Sequence, residues 1–233
     1  MLKNNIDIVS FDYYWVEDEM YYGISEHRYD NNFIYGKFIF KTYCTKEKIY
    51  GQLWDKMYKR KLLIELGDDL IPEHISGEDQ VASFKIMYNA DSFLYLPIVL
   101  YHHNRRKNSI TNQCNDELIK DKYKILKYIY EYCEKNDIFD LYRNYVESFI
   151  TDTIFISTAA MITIKLNKEP SLKDKYSDML IELIIFSIKN NYISIEWFKK
   201  FIDTLYCSNI YYFQYLLEIS NKAINIIENK LSN

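Results

Sequence analysis

Glu117-Leu118-Ile119-Lys120-Asp121-Lys122-Tyr123-Lys124-Ile125-Leu126-Lys127-Tyr128-Ile129-Tyr130-Glu131-Tyr132-Cys133-Glu134 decides the fold class of this chain. Its apolar positions Leu118, Ile119, Ile125, Leu126, Ile129, Tyr130 and Cys133 recur at the helical period, with Lys and Glu between them. Such a stripe predicts an amphipathic helix with one face in a core. The same period continues downstream over Phe139 to Leu166, Lys173 to Lys189, Ile195 to Leu205 and Ile210 to Leu231. Asn167 to Ser171 contains Pro170 and is a break. Residues 113–233 therefore predict an all-helical domain, a bundle of about five helices. Their stripes of Tyr and Ile read as core and carry no catalytic meaning.

Composition agrees with that reading. The chain has 233 residues, 48% hydrophobic and 27% charged, which is a globular composition with enough length for one large domain or two small ones. Tyr numbers 24, whereas Gly numbers 5 and Pro 3. Average usage would give roughly 16 Gly and 12 Pro. The shortage argues against collagen-like, low-complexity and turn-rich all-β chains, and against a complete glycine-looped nucleotide-binding domain. Net charge is −4, and the basic runs Lys56 to Lys61 and Arg105 to Lys107 are too short for a duplex track, so no nucleic-acid partner is expected. Cys44, Cys114, Cys133 and Cys207 form no C-x-x-C pair and read as reduced core thiols. The first residues lack the apolar core of a signal peptide. The apolar windows Phe149 to Leu166 and Met179 to Ile188 are interrupted by Asp152, Lys165 and Glu182, so no transmembrane segment is expected. The expectation is a cytoplasmic protein, with peripheral attachment at the inner face of a membrane left open.

Residues 1–112 differ in character. All five glycines lie there, the last at Gly77. Ile6 to Trp15 predicts a strand, Phe33 to Cys44 fits either strand or short helix, and Leu53 to Tyr58 predicts a strand leading into a helix over Arg60 to Leu66. Asp79 to Ala90 has helical spacing, and Phe93 to Leu96 and Val99 to His103 predict two short strands flanking Pro97. The fold class is thus α+β, mainly α.

Four stretches in this part could carry chemistry. Glu78-Asp79 follows a glycine at a helix start, where the helix dipole and open N–H groups stabilise carboxylates. Asp79 is either a first-turn acid or a general base for an incoming hydroxyl. Arg105, Arg106 and Ser109 are either a solvated loop or a diphosphate clamp, since guanidinium and hydroxyl groups match phosphate oxygens. His102 and His103 are neighbours on a strand, so they face opposite sides and at most one joins a given site. Trp54 and Lys56 are either an anchor and a surface charge or part of the same site.

In order and spacing, Asp7 to Phe11, Trp54-Asp55-Lys56-Met57-Tyr58-Lys59-Arg60, Glu78-Asp79 and Tyr101 to Thr111 resemble the second half of a glycosyltransferase family 2 catalytic domain. The resemblance covers about residues 5–111 and implies part of a GT-A fold. It implies inverting transfer of a sugar from a nucleotide-sugar to the hydroxyl of a glycan or lipid-linked acceptor. Asp79 matches the catalytic base, with Glu78 beside it orienting the acceptor. Arg106 and Ser109 match diphosphate-contacting positions, with Arg105 adjacent. His103 approaches the diphosphate or metal, and Trp54 and Lys56 line the acceptor side.

The family's nucleotide-binding half carries an acidic D-x-D motif that holds a divalent ion against the leaving diphosphate. No two aspartates in the 233 residues are separated by one position. Neither Asp68-Asp69 nor Glu17-Asp18-Glu19 has the motif's context. No metal ligand is therefore assigned, and Mn²⁺ or Mg²⁺ is expected only where a D-x-D half is supplied. The expectation is a truncated relative, inactive alone, whether a fragment, a complementing half or a non-catalytic helical interaction module with a glycosyltransferase remnant. A truncated sheet also exposes an edge, which predicts a homo-oligomer.

Overall fold

The computed structural model describes residues 5–17, 20–25, 33–45, 49–105, 114–206 and 210–231. The chain is α+β and mainly α, in two compact units, Met1–Ser109 and Ile110–Asn233.

The first unit is built on strand β1 (Ile8–Glu17), buried without interruption from Ile8 to Tyr13. A strand covered on both faces reads as continuous apolar sequence, which is why β-branched and aromatic residues dominate it. Along one side it pairs antiparallel with β2 (Met20–Ser25) and with β4 (Lys56–Tyr58). Along the other it pairs in parallel with β5 (Ser92–Asn104), whose first residues pair antiparallel with β3 (Phe33–Tyr35). Helices α1 (Phe38–Cys44), α2 (Arg60–Leu66) and α3 (Glu78–Asn89) complete the unit. Phe40 on α1 meets Phe84 and Tyr88 on α3 edge-on, with centroids 5.1 and 5.2 Å apart. Asp7 locks the strand ends: its carboxylate accepts from the Asp91 N–H, the Ser92 hydroxyl and the Lys59 ammonium.

Three local expectations change. Phe33 to Cys44 is both strand and helix, because Gly36, at φ +57°, turns the chain between β3 and α1. Leu53 to Asp55 is a turn rather than strand: the ladder with β1 spans Lys56 to Tyr58, and one further bond in the same register, from the Phe11 N–H to the Asp55 carbonyl at 3.1 Å, closes it. The residues around Pro97 form one strand, not two. β1 and β5 slip register between Phe11 and Tyr13, leaving Pro97, Ile98 and Leu100 without β1 partners. A bulge of this kind accommodates a residue that cannot donate to the ladder.

The second unit contains α4 (Asp116–Lys135), α5 (Ile138–Ile150), α6 (Ser157–Lys168), α7 (Lys173–Lys189), α8 (Ile195–Leu205) and α9 (Tyr211–Leu231). A π-turn over Thr151–Ile156 joins α5 to α6, so the described residues form five continuous helical stretches. The Thr153 carbonyl accepts from the Ser157 hydroxyl and, at 3.4 Å, from the Lys122 ammonium. Side-chain donors inserted into a helix ladder widen it locally. Asn115 caps α4 by accepting from the Leu118 N–H, and Ser194 caps α8 by accepting from the Trp197 N–H. Ile125, Leu126, Ile129 and Cys133 of the α4 stripe are buried as their spacing predicts. The stretch Ile138–Lys168 is, among the described residues, long and apolar enough to cross a membrane by length and composition, and 61% of its apolar window is buried in the fold.

Candidate functional site

The chemistry-bearing residues of the first unit gather at one end of its sheet. Trp54, in the turn before β4, lies nearly parallel to His103 of β5, with centroids 4.4 Å apart and planes at 16°. It also stacks on Tyr101 at 5.0 Å, and Tyr13 of β1 meets it edge-on at 4.5 Å. Trp15 meets His103 edge-on at 4.8 Å, and the Arg105 guanidinium lies 4.7 Å above the Trp15 ring. The result is a platform of four aromatic rings and one imidazole, bordered by an exposed cation. Strand alternation builds it: Tyr13 with Trp15, and Tyr101 with His103, point to one face, and these pairs are in register across β1 and β5. His102 goes to the other face, against Tyr14 and Tyr21.

Beside Trp54 lies a charged cluster. The Asp55 and Lys56 side chains are fully buried and ion-paired, and the Lys56 ammonium also donates to the Gln52 carbonyl at 2.7 Å. Burial lowers the Lys56 pKa, while Asp55 and Asp79 pull it back up. Asp79 stands half-buried in the first turn of α3, entered through Gly77 at φ +95°. Its charge reaches Lys56, Tyr43 and Tyr58, and burial reinforced by nearby negative charge pushes both tyrosine hydroxyls upward. The Tyr43–Ser83–Gly51 contacts close the cluster from behind: Ser83 donates to the Gly51 carbonyl at 2.5 Å, and Gly51 sits against the Tyr43 ring.

The structure thus places Trp54 beside the Asp55–Lys56 pair, with Lys56 within reach of the charge of Asp79, and gathers Trp54, His103 and Arg105 at the platform. Glu78 is exposed, and its carboxylate folds back to accept from the Gly77 N–H at 3.1 Å. Arg106 and Ser109 lie outside the described residues. Burial, and then Arg105, lower the His103 pKa, so the imidazole is biased toward its neutral form. Sequence reading missed Asp55, Tyr58, Tyr101, Tyr13 and Trp15. The alternation Tyr13-x-Trp15 opposite Tyr101-x-His103 was the available signal for the platform.

The arrangement offers a carboxylate beside a buried ammonium, and an aromatic surface with a cationic border. It can take a proton from a hydroxyl at Asp79 and hold a flat or ring-shaped ligand against the platform. Among the described residues no three His, Cys, Asp or Glu side chains converge as a metal site requires, and the carboxylate closest to Lys56 is committed to that ammonium. The divalent ion implied by the family resemblance does not fit these residues. Comparison with known protein families, with curated proteins and with solved structures gives no match.

Proposed function

We propose that the first unit is the acceptor-side half of a family 2-like inverting glycosyltransferase, working with a nucleotide-binding half that carries the D-x-D motif. The observation that carries this reading is that the charge of Asp79, at the start of α3, reaches the buried Lys56 beside Trp54, since these come from separate stretches of sequence and belong to two of the four resemblance motifs. In the reaction the Asp79 carboxylate takes the proton of the acceptor hydroxyl. That oxygen forms a bond to the anomeric carbon of the donor sugar, and the bond from that carbon to the diphosphate oxygen breaks. The nucleoside diphosphate leaves with the electron pair, from the face opposite the attack. The platform around Trp54 orients the acceptor. The family resemblance assigns Arg106 and Ser109, with Arg105 adjacent, to the leaving diphosphate. No step is assigned to a metal.

The test is transfer measured with UDP-, GDP- and CDP-sugars and Mn²⁺, using the full chain alone and with a D-x-D-bearing family 2 nucleotide-binding domain. Transfer is expected only in the mixture. Exposed apolar side chains on the helical unit, Leu141, Ile164 and Tyr211 among them, favour a second reading: a non-catalytic interaction module that retains a glycosyltransferase remnant. Absence of both calorimetric heat and transfer in every combination selects that second reading.

A further inference from the structure

The exposed Arg105 guanidinium lies 4.7 Å above the Trp15 ring and makes no ion pair among the described residues. A cation held over a ring is fixed in position, yet its charge and N–H donors stay available to an anion. From Arg105 the rings follow one another without a gap. Trp15 meets His103 at 4.8 Å, His103 meets Trp54 at 4.4 Å, and Trp54 meets Tyr101 at 5.0 Å. Each keeps part of its surface open, since Tyr101 is 38% exposed and Trp15, Trp54 and His103 are half-buried. Burial and the Arg105 charge bias the imidazole toward its neutral form. The row therefore offers neutral rings along its length and a positive charge at one end.

The two parts of this surface ask different things of a ligand. The C–H face of a sugar ring packs on aromatic side chains while its hydroxyls stay in water. A neutral sugar leaves the Arg105 charge unused, and a free anion leaves the rings unused. We infer that the acceptor is an anionic sugar, its ring packed on the Trp15–His103–Trp54 row and its carboxylate or phosphate paired with the Arg105 guanidinium. This rests on the acceptor-side reading of the platform and names the class of acceptor that the platform takes. The shared chemistry is a negatively charged oxygen group on a sugar ring, which the guanidinium fork matches in either form.

The experiment is an NMR titration of the full chain with methyl glucoside, methyl glucuronide and methyl glucoside 6-phosphate, which differ at C6 alone. The chain has 3 Trp, so the indole N–H signals report by residue: Trp15 and Trp54 should shift, and Trp197 of the helical unit should not. Both charged glycosides should bind about fivefold more tightly than the neutral one at low salt, with the margin shrinking as salt rises. The tighter of the two identifies the charged group. Arg105→Gln should abolish the margin and leave the neutral glycoside's affinity unchanged, whereas Tyr101→Ala should weaken all three alike, both variants keeping the original circular dichroism. Equal affinities for charged and neutral glycosides, or a margin that survives Arg105→Gln, would overturn the anionic class and leave the acceptor-side reading standing. Inorganic phosphate shifting the same indoles at the same concentrations, or uridine binding more tightly than any glycoside, would overturn the inference as well. No indole response to any glycoside would overturn it together with the acceptor-side reading.

Discussion

The Trp54 indole lies 4.4 Å from the His103 imidazole, centroid to centroid, with the planes 16° apart. This contact ties the turn before β4 to the far half of β5, and so couples the motif residues on either side of α3. It also makes the tryptophan a reporter on the histidine.

Burial and the neighbouring Arg105 lower the His103 pKa below its usual 6.5. A group whose folded pKa is depressed contributes stability that is present above the unfolded value and lost as pH falls through the folded one. Stability of the first unit should therefore decline on acidification below about pH 6.5. Replacing Arg105 with Gln removes the cation and should raise the His103 pKa, read from the imidazole proton shifts in an NMR titration. An unchanged titration curve would detach Arg105 from His103.

Asp55 and Lys56 form a buried pair with neither side chain exposed. Lys56→Met leaves a carboxylate buried without its cation, and should cost about 3–5 kcal/mol in urea unfolding. The double substitution Asp55→Leu with Lys56→Met should recover most of that loss. A double variant as unstable as the single one would mean that the pair is needed for more than mutual neutralisation.

In the helical unit the Glu147 carboxylate, 1% exposed, accepts from the Ser194 N–H at 2.7 Å, where Ser194 opens α8. Glu147→Ala should destabilise by about 2–3 kcal/mol, because it removes a charge-assisted bond and leaves the half-buried Ser194 N–H without its acceptor. A loss under about 0.5 kcal/mol would show that water replaces the carboxylate.

The hydroxyls of Thr158 and Ser220 are buried without a hydrogen-bond partner among the described residues. Thr158→Val and Ser220→Ala should each stabilise by up to about 1 kcal/mol, visible as about 2–4 °C in melting temperature. Destabilisation of that size would mean that the hydroxyls are in use.

Most of the fold was legible because it rests on local periodicity. The α4 stripe, the break at Pro170 and the starts of α7 and α8 follow from side-chain spacing alone. The parts that were not legible depend on distant partners. Pro97 marks a strand end by its chemistry, but the slip between β1 and β5 absorbs it, and only the pairing reveals that. Leu53 to Asp55 has strand composition, but the ladder with β1 ends with the bond from the Phe11 N–H to the Asp55 carbonyl, and Leu53 and Trp54 lie in the turn before it. Within the candidate site, Trp54, Lys56, Asp79 and His103 were visible as residue types at telling positions. The ion pair of Asp55 with Lys56 was not, since adjacent opposite charges in sequence usually sit on a solvated surface, and burial is what gives this pair its meaning.

The most direct measurement is the rate of sugar transfer by the full chain with a D-x-D-bearing nucleotide-binding domain, compared with the same mixture containing Asp79→Asn. The substitution keeps the shape of the side chain and removes its ability to hold the acceptor's proton. A fall by orders of magnitude in rate, with the melting temperature near its original value, is the expected result. Equal rates for the two chains would contradict Asp79 as the base, and with it the acceptor-side reading of the first unit.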